Sequence, residues 1–558
     1  GIAVDPSSHN VYVADTANNR IQVFSSNGTF LSKWGGYGGY GSGNGTFNHP
    51  EGIAVEQGIV YVSDTDNHRI QVFSSNGTFL SKLGMYGILE HSRSEENLRS
   101  PSGIAVDPSS HNVYVADTAN NRIVGFATYS FNNNVSFSNE DGEIYGNNTG
   151  IKLQSIYDGL KNPTAIAFLG PNDMLVLQQT NKSVIRIVNG QMLNEPALDD
   201  LGSSVKDVGC MCDIAILNYG NGTSYAFLYY YLAKVMEDDG TTKIVNRLYR
   251  YDLINGKLTN PKLFFEIPSA LGTPHNGGKI MIGPDNNIYL TMGEINYYRT
   301  KAQNVKNGSL PDGSGGILRF SPDGGPVGGG LIGHTHPLDK YYAYGIRNSF
   351  GINYDPFTGN IWMTDNGADC CDELNIARPG FNSGWNKIMG KSSMEAFNPN
   401  DLEYFNGTGR YNDPIFEWFI PIGVTDLVFI PSDALGKQYK GNLFVGDINS
   451  GYLYRFLLNQ SRTGLVLNGS ISDGIANNNI EKREAAFANL NGSIADLEIG
   501  PDGLLYIVSF SNGKIIRLQP IETALTGAAP IPATNSPDTN STQWGNLTAA
   551  STTNSAGS

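Results

Sequence analysis

The stretch HNGGKIMIGPDNNIYLTMGE, from His275 to Glu294, determines how the rest of the chain is interpreted. Two short apolar runs flank the turn sequence Gly-Pro-Asp-Asn-Asn, which predicts a strand, a tight turn and a returning strand. A histidine and two glycines precede the first strand. The stretch therefore predicts a strand-turn-strand unit with a residue capable of acid-base chemistry at its head.

Looser versions of this unit recur through residues 151–520, which predicts an all-β fold, a six-bladed β-propeller. The six units are TAIAFLGPNDMLVLQQ at Thr164, CDIAILNYGNGTSYAFLYYY at Cys212, KIMIGPDNNIYLTMG at Lys279, FGINYDPFTGNIWMTD at Phe350, TDLVFIPSDALGKQYKGNLFVGD at Thr425 and ADLEIGPDGLLYIVSF at Ala495. Six blades make a complete ring. The segment IKLQSIYDGL from Ile151 is predicted to supply the outer strand of the last blade and so to close it.

A different repeat fills residues 1–126. GIAVDPSSHNVYVADTANNRI begins at Gly1 and again at Gly103, with the variant GIAVEQGIVYVSDTDNHRI at Gly52 between them. A fixed period with alternating apolar positions predicts three further propeller blades. Three blades do not close a ring, so either further repeats precede this sequence or a second copy completes the ring.

The sequences of these three repeats resemble NHL repeats. Their aspartates, Asp15, Asp64 and Asp117, are interpreted as turn-forming side chains rather than catalysts. Repeats of this type resemble interaction platforms, so we expect protein partners or self-assembly through these blades.

Composition limits the classes of partner. The 558-residue chain has a formal net charge of −15 and no run of Lys or Arg, so nucleic acid would be repelled. No run of about 18 apolar residues predicts a membrane span. Asn-x-Ser/Thr sequons are frequent and favour an extracellular or cell-surface glycoprotein with N-linked glycans, although Asn-Gly-Thr is also ordinary hairpin chemistry. The sequons lie at Asn27, Asn44, Asn76, Asn134, Asn147, Asn181, Asn221, Asn307, Asn406, Asn459, Asn468, Asn491, Asn540 and Asn546.

Two segments break the strand pattern. Residues 127–150 are Asn-rich and are predicted to be a linker or surface loop. Residues 521–558 are rich in Ala, Thr, Ser and Pro, which predicts a disordered tail because such a composition cannot bury a core.

Loops from different blades gather at one end of a propeller, so residues far apart in sequence meet there. Four loops of this chain are unusual. They are VGCMCD with Cys210 and Cys212, the segment around His275, GIRNSFG with Arg347 and Asn348, and TDNGADCCDELN from Thr364.

In order and approximate spacing, three of these segments resemble hallmark segments of the soluble glucose and aldose sugar dehydrogenases that depend on pyrroloquinoline quinone (PQQ). The resemblance covers roughly residues 151–520. It implies a sugar or glycan substrate, PQQ and calcium. His275 matches the general base that takes the proton of the anomeric hydroxyl, and Arg347 matches the arginine that polarises the quinone oxygens.

The same resemblance implies further contacts. The backbone carbonyls of Gly367 and Ala368 match calcium ligands, which suits a hard cation, and Asn348, Asn366 and Asp372 match cofactor contacts. The chain departs from the family at other places: family members usually carry a lysine where it has Asn449, and arginines near Ser493 and Ala495. The alternatives are a structural His275 that forms a turn hydrogen bond, and an Arg347 that lines the channel as an ion-pair partner of Asp372 or Glu373.

All four cysteines fall in two of the unusual loops. In an exported protein, Cys210, Cys212, Cys370 and Cys371 suggest two disulfides that tie these loops together. A soft-metal site and a vicinal disulfide between Cys370 and Cys371 are the alternatives.

Two functions remain open from the sequence. The first is a secreted or cell-surface dehydrogenase of the PQQ type. The second is a non-enzymatic glycoprotein, an adhesive, sheath or filament subunit whose cofactor site has degenerated.

Overall fold

Strands dominate the computed structural model, which describes residues 1–36, 40–43, 45–56, 58–77, 79–83, 98–107, 113–126, 141–145, 150–198, 205–220, 222–236, 240–269, 275–295, 299–393 and 398–521. Most of the predicted linker and all but one residue of the predicted tail lie outside these ranges.

Three antiparallel sheets form the first part of the chain, and we number them sheets 1 to 3. Their strands are Ile2–Val4, Val11–Asp15, Arg20–Phe24 and Phe30–Gly35; Pro50–Glu56, Ile59–Asp64, Arg69–Ser74 and Phe79–Leu83; and Pro101–Val106, Val113–Asp117 and Arg122–Phe126. A one-turn 3-10 helix follows the second strand of each sheet, at Thr16–Asn18, Thr65–Asn67 and Thr118–Asn120. Buried apolar clusters join sheet 1 to sheet 2 and sheet 2 to sheet 3.

The repeated aspartates stabilise these turns. Asp64 accepts a hydrogen bond from Arg69 Nε at 2.8 Å, and the carboxylates of Asp15 and Asp117 accept the same bond from the arginine five residues later at 2.7 Å. These contacts agree with the interpretation of the aspartates as turn-forming side chains.

Six further sheets are the blades of a ring, numbered in the order of their first, inner strands. Blade 1 has the strands Pro163–Gly170, Asp173–Gln178, Ser183–Val188 and Gln191–Met192, and blade 2 has Cys210–Asn218, Ser224–Met236, Thr242–Ile254 and Lys257–Pro268, with Val205–Asp207 in addition. Blade 3 has Ile280–Ile282, Ile288–Met292, Gly316–Phe320 and Tyr341–Tyr344, with Phe381–Asn382 and Arg410–Tyr411 in addition, and blade 4 has Ile352–Tyr354, Ile361–Asp365, Asp372–Ala377 and Phe416–Trp418, with Ile475–Ala476 in addition. Blade 5 has Val424–Phe429, Leu443–Asp447, Tyr452–Leu458 and Ala486–Asn489, with Glu143–Ile144 and Leu465–Val466 in addition, and blade 6 has Ile494–Ile499, Leu505–Ser509, Lys514–Pro520 and Ile151–Tyr157.

Helices are short in the described part of the chain. The one α-helix is Asn479–Ala485, and the remaining 3-10 helices are Lys301–Gln303, Leu338–Lys340, Pro399–Asp401, Phe405–Gly407 and Gly469–Ile471. None of these has the length and apolar composition of a membrane-spanning segment.

Packing closes the ring. A buried apolar cluster lies between each pair of neighbouring blades, and the last joins Tyr506 and Val508 of blade 6 to Val176 of blade 1. The strand exchange predicted from the sequence is confirmed, because Ile151–Tyr157 pairs antiparallel with Lys514–Pro520. The predicted all-β propeller class is therefore confirmed as well.

The ring has two ends, and only one of them concerns the candidate site. We call the end at which the inner strands begin the mouth. Because each blade meanders antiparallel, the loop between its second and third strands returns to the mouth as well. The segments before Ile280 and Ile352 and the loop 366–371 therefore share this end of the ring.

Candidate functional site

His275 lies at the mouth, directly before blade 3. Its φ is 62°, a left-handed conformation that is uncommon for a residue with a side chain. The backbone fixes it there, since Ile295 N donates to His275 O at 3.0 Å. A side chain at Gly293 would meet that carbonyl oxygen at 2.0 Å, so glycine is required beside it.

The imidazole of His275 lies between an acid and a guanidinium. Nδ1 is 2.8 Å from Glu294 Oε1, and Nε2 is 2.8 Å from Arg347 Nη2. A guanidinium only donates hydrogen bonds, so Nε2 must be the acceptor and the ring proton must lie on Nδ1, facing Glu294. The structure thus holds a neutral imidazole whose basic nitrogen points away from the carboxylate that orients it.

A tryptophan completes this hydrogen-bonded chain. Trp385 Nε1 donates to Glu294 Oε2, and the Trp385 ring centroid is 5.4 Å from the guanidinium carbon of Arg347. Both oxygens of Glu294 therefore have a donor, and its side chain is only 5% exposed. A carboxylate held in this way cannot turn, which keeps the tautomer of His275 fixed.

Arg347 also contacts the loop after the second strand of blade 4. Its Nη1 donates to Asn366 O at 2.9 Å and to Gly367 O at 2.5 Å. Its Nε is buried without a hydrogen-bond partner. Among the described residues, the Arg347 side chain bonds two backbone carbonyls and His275 rather than the carboxylate of Asp372 or Glu373.

Asp372 holds this loop against blade 5. Its Oδ1 accepts from Gly367 N at 2.9 Å, and Oδ2 accepts from the backbone N–H groups of residues 422, 423 and 424 at 2.7–3.1 Å. Burial raises the pKa of Asp372 even though these donors favour its charged form. Asp372 is 1% exposed, so its carboxylate supports the loop from behind.

Two amides connect the blades around the mouth. Asn348 Oδ1 accepts from Gly277 N at 3.2 Å, and Asn366 Nδ2 donates to Asn348 O at 3.1 Å and to Val424 O at 2.8 Å. Segments of blades 3, 4 and 5 are thereby joined. In these positions both amides stabilise the loops, and their side chains are nearly buried.

The tip of the loop is open to solvent. Gly367 is buried, whereas Ala368 and Asp369 are exposed. A Cβ atom at Gly367 would meet Cys370 O at 2.1 Å, so the loop closes only around a glycine. The carbonyls of Gly367 and Ala368 thus lie in a tight turn beside the guanidinium of Arg347.

The four cysteines lie in pairs, one pair in each of two loops. Cys210 and Cys371 are buried, and Cys212 and Cys370 are partly exposed. The disulfides between the loops stay a prediction. No group of three or more His, Cys, Asp or Glu among the described residues has a metal-binding arrangement.

Glu294 and Trp385 were not predicted from the sequence. A signal for Glu294 was present: Ile280 pairs with Leu290 in an antiparallel register, which places the residues before one strand opposite those after the other. No comparable signal identifies Trp385, which lies 91 residues from Glu294 in sequence.

Comparisons with known proteins identify the family of the ring and of the repeats. The sequence profile of the Glucose / Sorbosone dehydrogenase family matches residues 160–517, and NHL repeat profiles match residues 1–24, 47–73 and 98–126. The aldose sugar dehydrogenase YliI of Escherichia coli is 23% identical over 380 residues, which cover 66% of this chain and 93% of the relative.

Two other relatives extend the comparison. Quinoprotein glucose dehydrogenase B of Acinetobacter calcoaceticus is 28% identical over 163 residues, 26% of this chain and 32% of that protein. The crystal structure of the soluble aldose sugar dehydrogenase from Escherichia coli in its apo-form superimposes with a TM-score of 0.51 at 21% identity, over 66% of this chain and 100% of that one. This structural likeness shows the shared fold.

Proposed function

The chain belongs to the Glucose / Sorbosone dehydrogenase family, and we propose that its six-bladed ring oxidises an aldose sugar to the lactone with PQQ and calcium. The observation that carries the proposal is the neutral imidazole of His275. Its basic nitrogen faces the mouth beside Arg347, and its other nitrogen is held by Glu294.

The residues at the mouth fit the quinone end of PQQ. Arg347 Nε is a buried donor without a partner, and a donor of this kind is costly unless a ligand oxygen accepts from it. Arg347 is the cation that would polarise the quinone oxygens, and Asn348, Asn366 and Asp372 would support the cofactor through the loops they hold. A calcium ion would take the backbone carbonyls of Gly367 and Ala368, since hard oxygen ligands suit it.

Bound PQQ would supply the hydride acceptor for the anomeric carbon. The chain's own part is the proton: His275 Nε2 takes it from the anomeric hydroxyl, and the Glu294 carboxylate stabilises the imidazolium that results. Arg347 must release Nε2 for this step, because one lone pair cannot serve both. Its remaining bonds to the carbonyls of residues 366 and 367 keep it beside the reacting atoms.

Dye-linked oxidation of aldoses tests the proposal. The full chain is reconstituted with PQQ and calcium and assayed with an artificial electron acceptor against a panel of aldoses. Reduction of the dye that requires PQQ, calcium and an aldose together supports the dehydrogenase. If PQQ binds and no aldose reduces the dye, the proposal fails.

A second candidate function, binding of a protein partner or self-assembly as a surface filament, is favoured by sheet 3. Ile123 is 69% exposed among the described residues, whereas its counterparts Ile21 and Ile70 are fully buried by the next sheet. Tyr114 is 42% exposed, whereas its counterparts Tyr12 and Tyr61 are buried. Sedimentation of the full chain tests self-assembly. An assembly that is lost in the Ile123→Asp variant supports this candidate, whereas a chain that stays monomeric at all concentrations contradicts it.

Export to the cell surface remains a proposal as well, based on the sequons. The side chains at Asn27, Asn76, Asn181, Asn307, Asn406, Asn468 and Asn491 are exposed. A glycosidase that lowers the apparent mass of the protein isolated from its own cells would support N-linked glycans, and an unchanged mass would contradict them.

A further inference from the structure

A second group of ionisable side chains lies deeper in the ring, away from His275. We call it the channel cluster: Lys279, Asp213, Asp426, Asp496 and Glu498. Lys279 Nζ is 2.5 Å from Asp496 Oδ1, 3.0 Å from Asp426 Oδ2 and 3.4 Å from Asp213 Oδ1. One ammonium group thus faces carboxyl groups from blades 2, 5 and 6.

The three aspartates are fixed by the backbone of the neighbouring blade. Asp213 Oδ2 accepts from Ile280 N at 2.6 Å, and Asp496 Oδ2 accepts from Ile166 N at 2.9 Å. Asp426 Oδ2 accepts from Leu497 N at 3.3 Å. These backbone hydrogen bonds hold the three carboxyl groups close together even though a single ammonium group faces them.

A cavity of about 340 Å³ extends from this cluster towards the end of the ring opposite the mouth. The inner strands of all six blades line it, and its wall combines aliphatic side chains with at least as much polar surface. The aliphatic part of the wall includes Ile166, Ile214, Ile282, Ile352, Val428 and Ile499. Cavities of this size and character are typical of small-molecule sites.

Asp426 provides an unsatisfied group at the inner end of this cavity. It is fully buried and lines the cavity, and its Oδ1 has no hydrogen-bond partner, whereas Oδ2 already has two. Glu498 lines the same space, and burial together with the nearby Asp496 and Asp213 raises its pKa to about 8, although Lys279 lowers it. Carboxyl groups therefore outnumber ammonium groups at this end of the cavity, and aliphatic side chains line part of its wall.

We propose that this cavity binds a small primary alkylammonium compound, whose amino group donates to Asp426 Oδ1 and whose apolar part contacts the aliphatic wall. An anion would be repelled once the surplus carboxyl groups ionise, above about pH 8. A metal ion would need an oxygen cage, and the described residues form no metal-binding group of three or more.

Binding of three isosteric probes to the full chain tests the ligand class. The probes are n-butylammonium, n-butanol and butanoate, measured by calorimetry and by the shift of the melting temperature. At pH 9, where Glu498 is ionised, we expect saturable binding of n-butylammonium and at least about 10-fold weaker binding of the other two, since only the ammonium group neutralises the surplus charge. Equal binding of all three would overturn the proposal.

Variants locate the site. Asp426→Asn is expected to weaken n-butylammonium binding at least about 10-fold. Asp447→Asn is the matched control, because Asp447 is a fully buried aspartate of the same blade that does not line the cavity. Val428→Phe fills the cavity without changing its charge and should also abolish binding. Unchanged binding in Asp426→Asn or in Val428→Phe overturns the proposal.

A structural measurement covers the case in which Asp426→Asn does not fold. Crystals of the unmodified chain soaked in 3-bromopropylammonium should show anomalous bromine density between Ile352 and Val428. Bromine density on the outer surface alone overturns the proposal. Because no step involves PQQ, the result is independent of the dehydrogenase assay.

Discussion

At the scale of single residues, the chemistry rests on one hydrogen-bonded chain through Trp385, Glu294, His275 and Arg347. Glu294 determines which nitrogen of the imidazole carries the proton, and Arg347 determines where the other nitrogen points. Each side chain has one arrangement that satisfies its neighbours. A change in any of them therefore affects the base directly.

Removal of the base is the sharpest test at this scale. We expect His275→Asn to lower kcat of the reconstituted dehydrogenase by about 10²–10⁴-fold while leaving PQQ binding largely intact. His334→Asn is the matched control, because His334 is exposed in the loop between the third and fourth strands of blade 3, at the end opposite the mouth. Equal kcat for His275→Asn and the unmodified chain would contradict the role of His275.

A charge substitution tests the departure of this chain from its family. Asn449 is exposed, and its backbone N donates to Ile422 O beside the Asp372 contacts. We expect Asn449→Lys to tighten PQQ binding by about 10-fold at low salt, because PQQ carries three carboxylates and Arg347 is the cation placed for its quinone end.

The control for this prediction separates a local contact from a change in net charge. Asn459→Lys adds the same charge in the loop after the third strand of blade 5, away from the mouth. An equal gain in affinity from both variants would show a general charge effect and would contradict a local lysine contact.

At the scale of elements, the loop between Asp365 and Asp372 connects His275 to the rest of the ring. The backbone of Arg347 and Asn348 donates to the Asp365 carboxylate at 3.1 and 2.8 Å, and burial raises the pKa of Asp365 to about 7. Asp372 anchors the other end of the loop. The loop is thus held at both ends by buried carboxyl groups.

A single methyl group should open this loop. We expect Gly367→Ala to abolish calcium-dependent activity, because its Cβ atom has no room beside Cys370 O. Ala368→Ser adds one atom at the exposed neighbour and should retain activity. Calcium titration of dye reduction after chelation measures both; an unchanged calcium requirement in Gly367→Ala would contradict the assignment of the loop.

Regular elements were predictable, and the contacts between them were not. Apolar runs and the Gly-, Pro-, Asn- and Asp-rich turns between them predicted the six units and the exchanged strand at Ile151, because these signals are local in sequence. The pairing of Glu294 with Trp385 depends on the closed ring, and so does the contact of Lys279 with Asp496, which lies 217 residues away.

At the scale of the whole molecule, the channel concentrates buried acids around one lysine. Burial raises the pKa of Asp213 to about 7 and that of Glu498 to about 8. A carboxyl group whose pKa is higher in the folded than in the unfolded protein stabilises the fold while it is protonated. This contribution is complete at pH values below the unfolded pKa and is lost as the pH rises through the folded pKa. The ring should therefore lose stability between about pH 4.5 and 8.

Glu498→Gln isolates one part of this pH dependence, since glutamine resembles the uncharged acid at every pH. We expect its melting temperature to match that of the unmodified chain at pH 5 and to exceed it by about 2 °C or more at pH 8.5. Glu51→Gln, at an exposed glutamate of sheet 2, should show no such crossover. A difference that is the same at both pH values would contradict the titration of Glu498.

We propose that His275, Arg347 and the carbonyl turn at Gly367 serve one reaction centre. Anaerobic mixing of the PQQ- and calcium-loaded chain with an aldose, followed by absorption, tests it most directly. We predict that the aldose converts the cofactor spectrum to that of the reduced form in a single turnover, and that His275→Asn slows this conversion at least about 100-fold. A loaded chain whose spectrum no aldose changes, or in which His275→Asn reacts as fast as the unmodified chain, would contradict the claim.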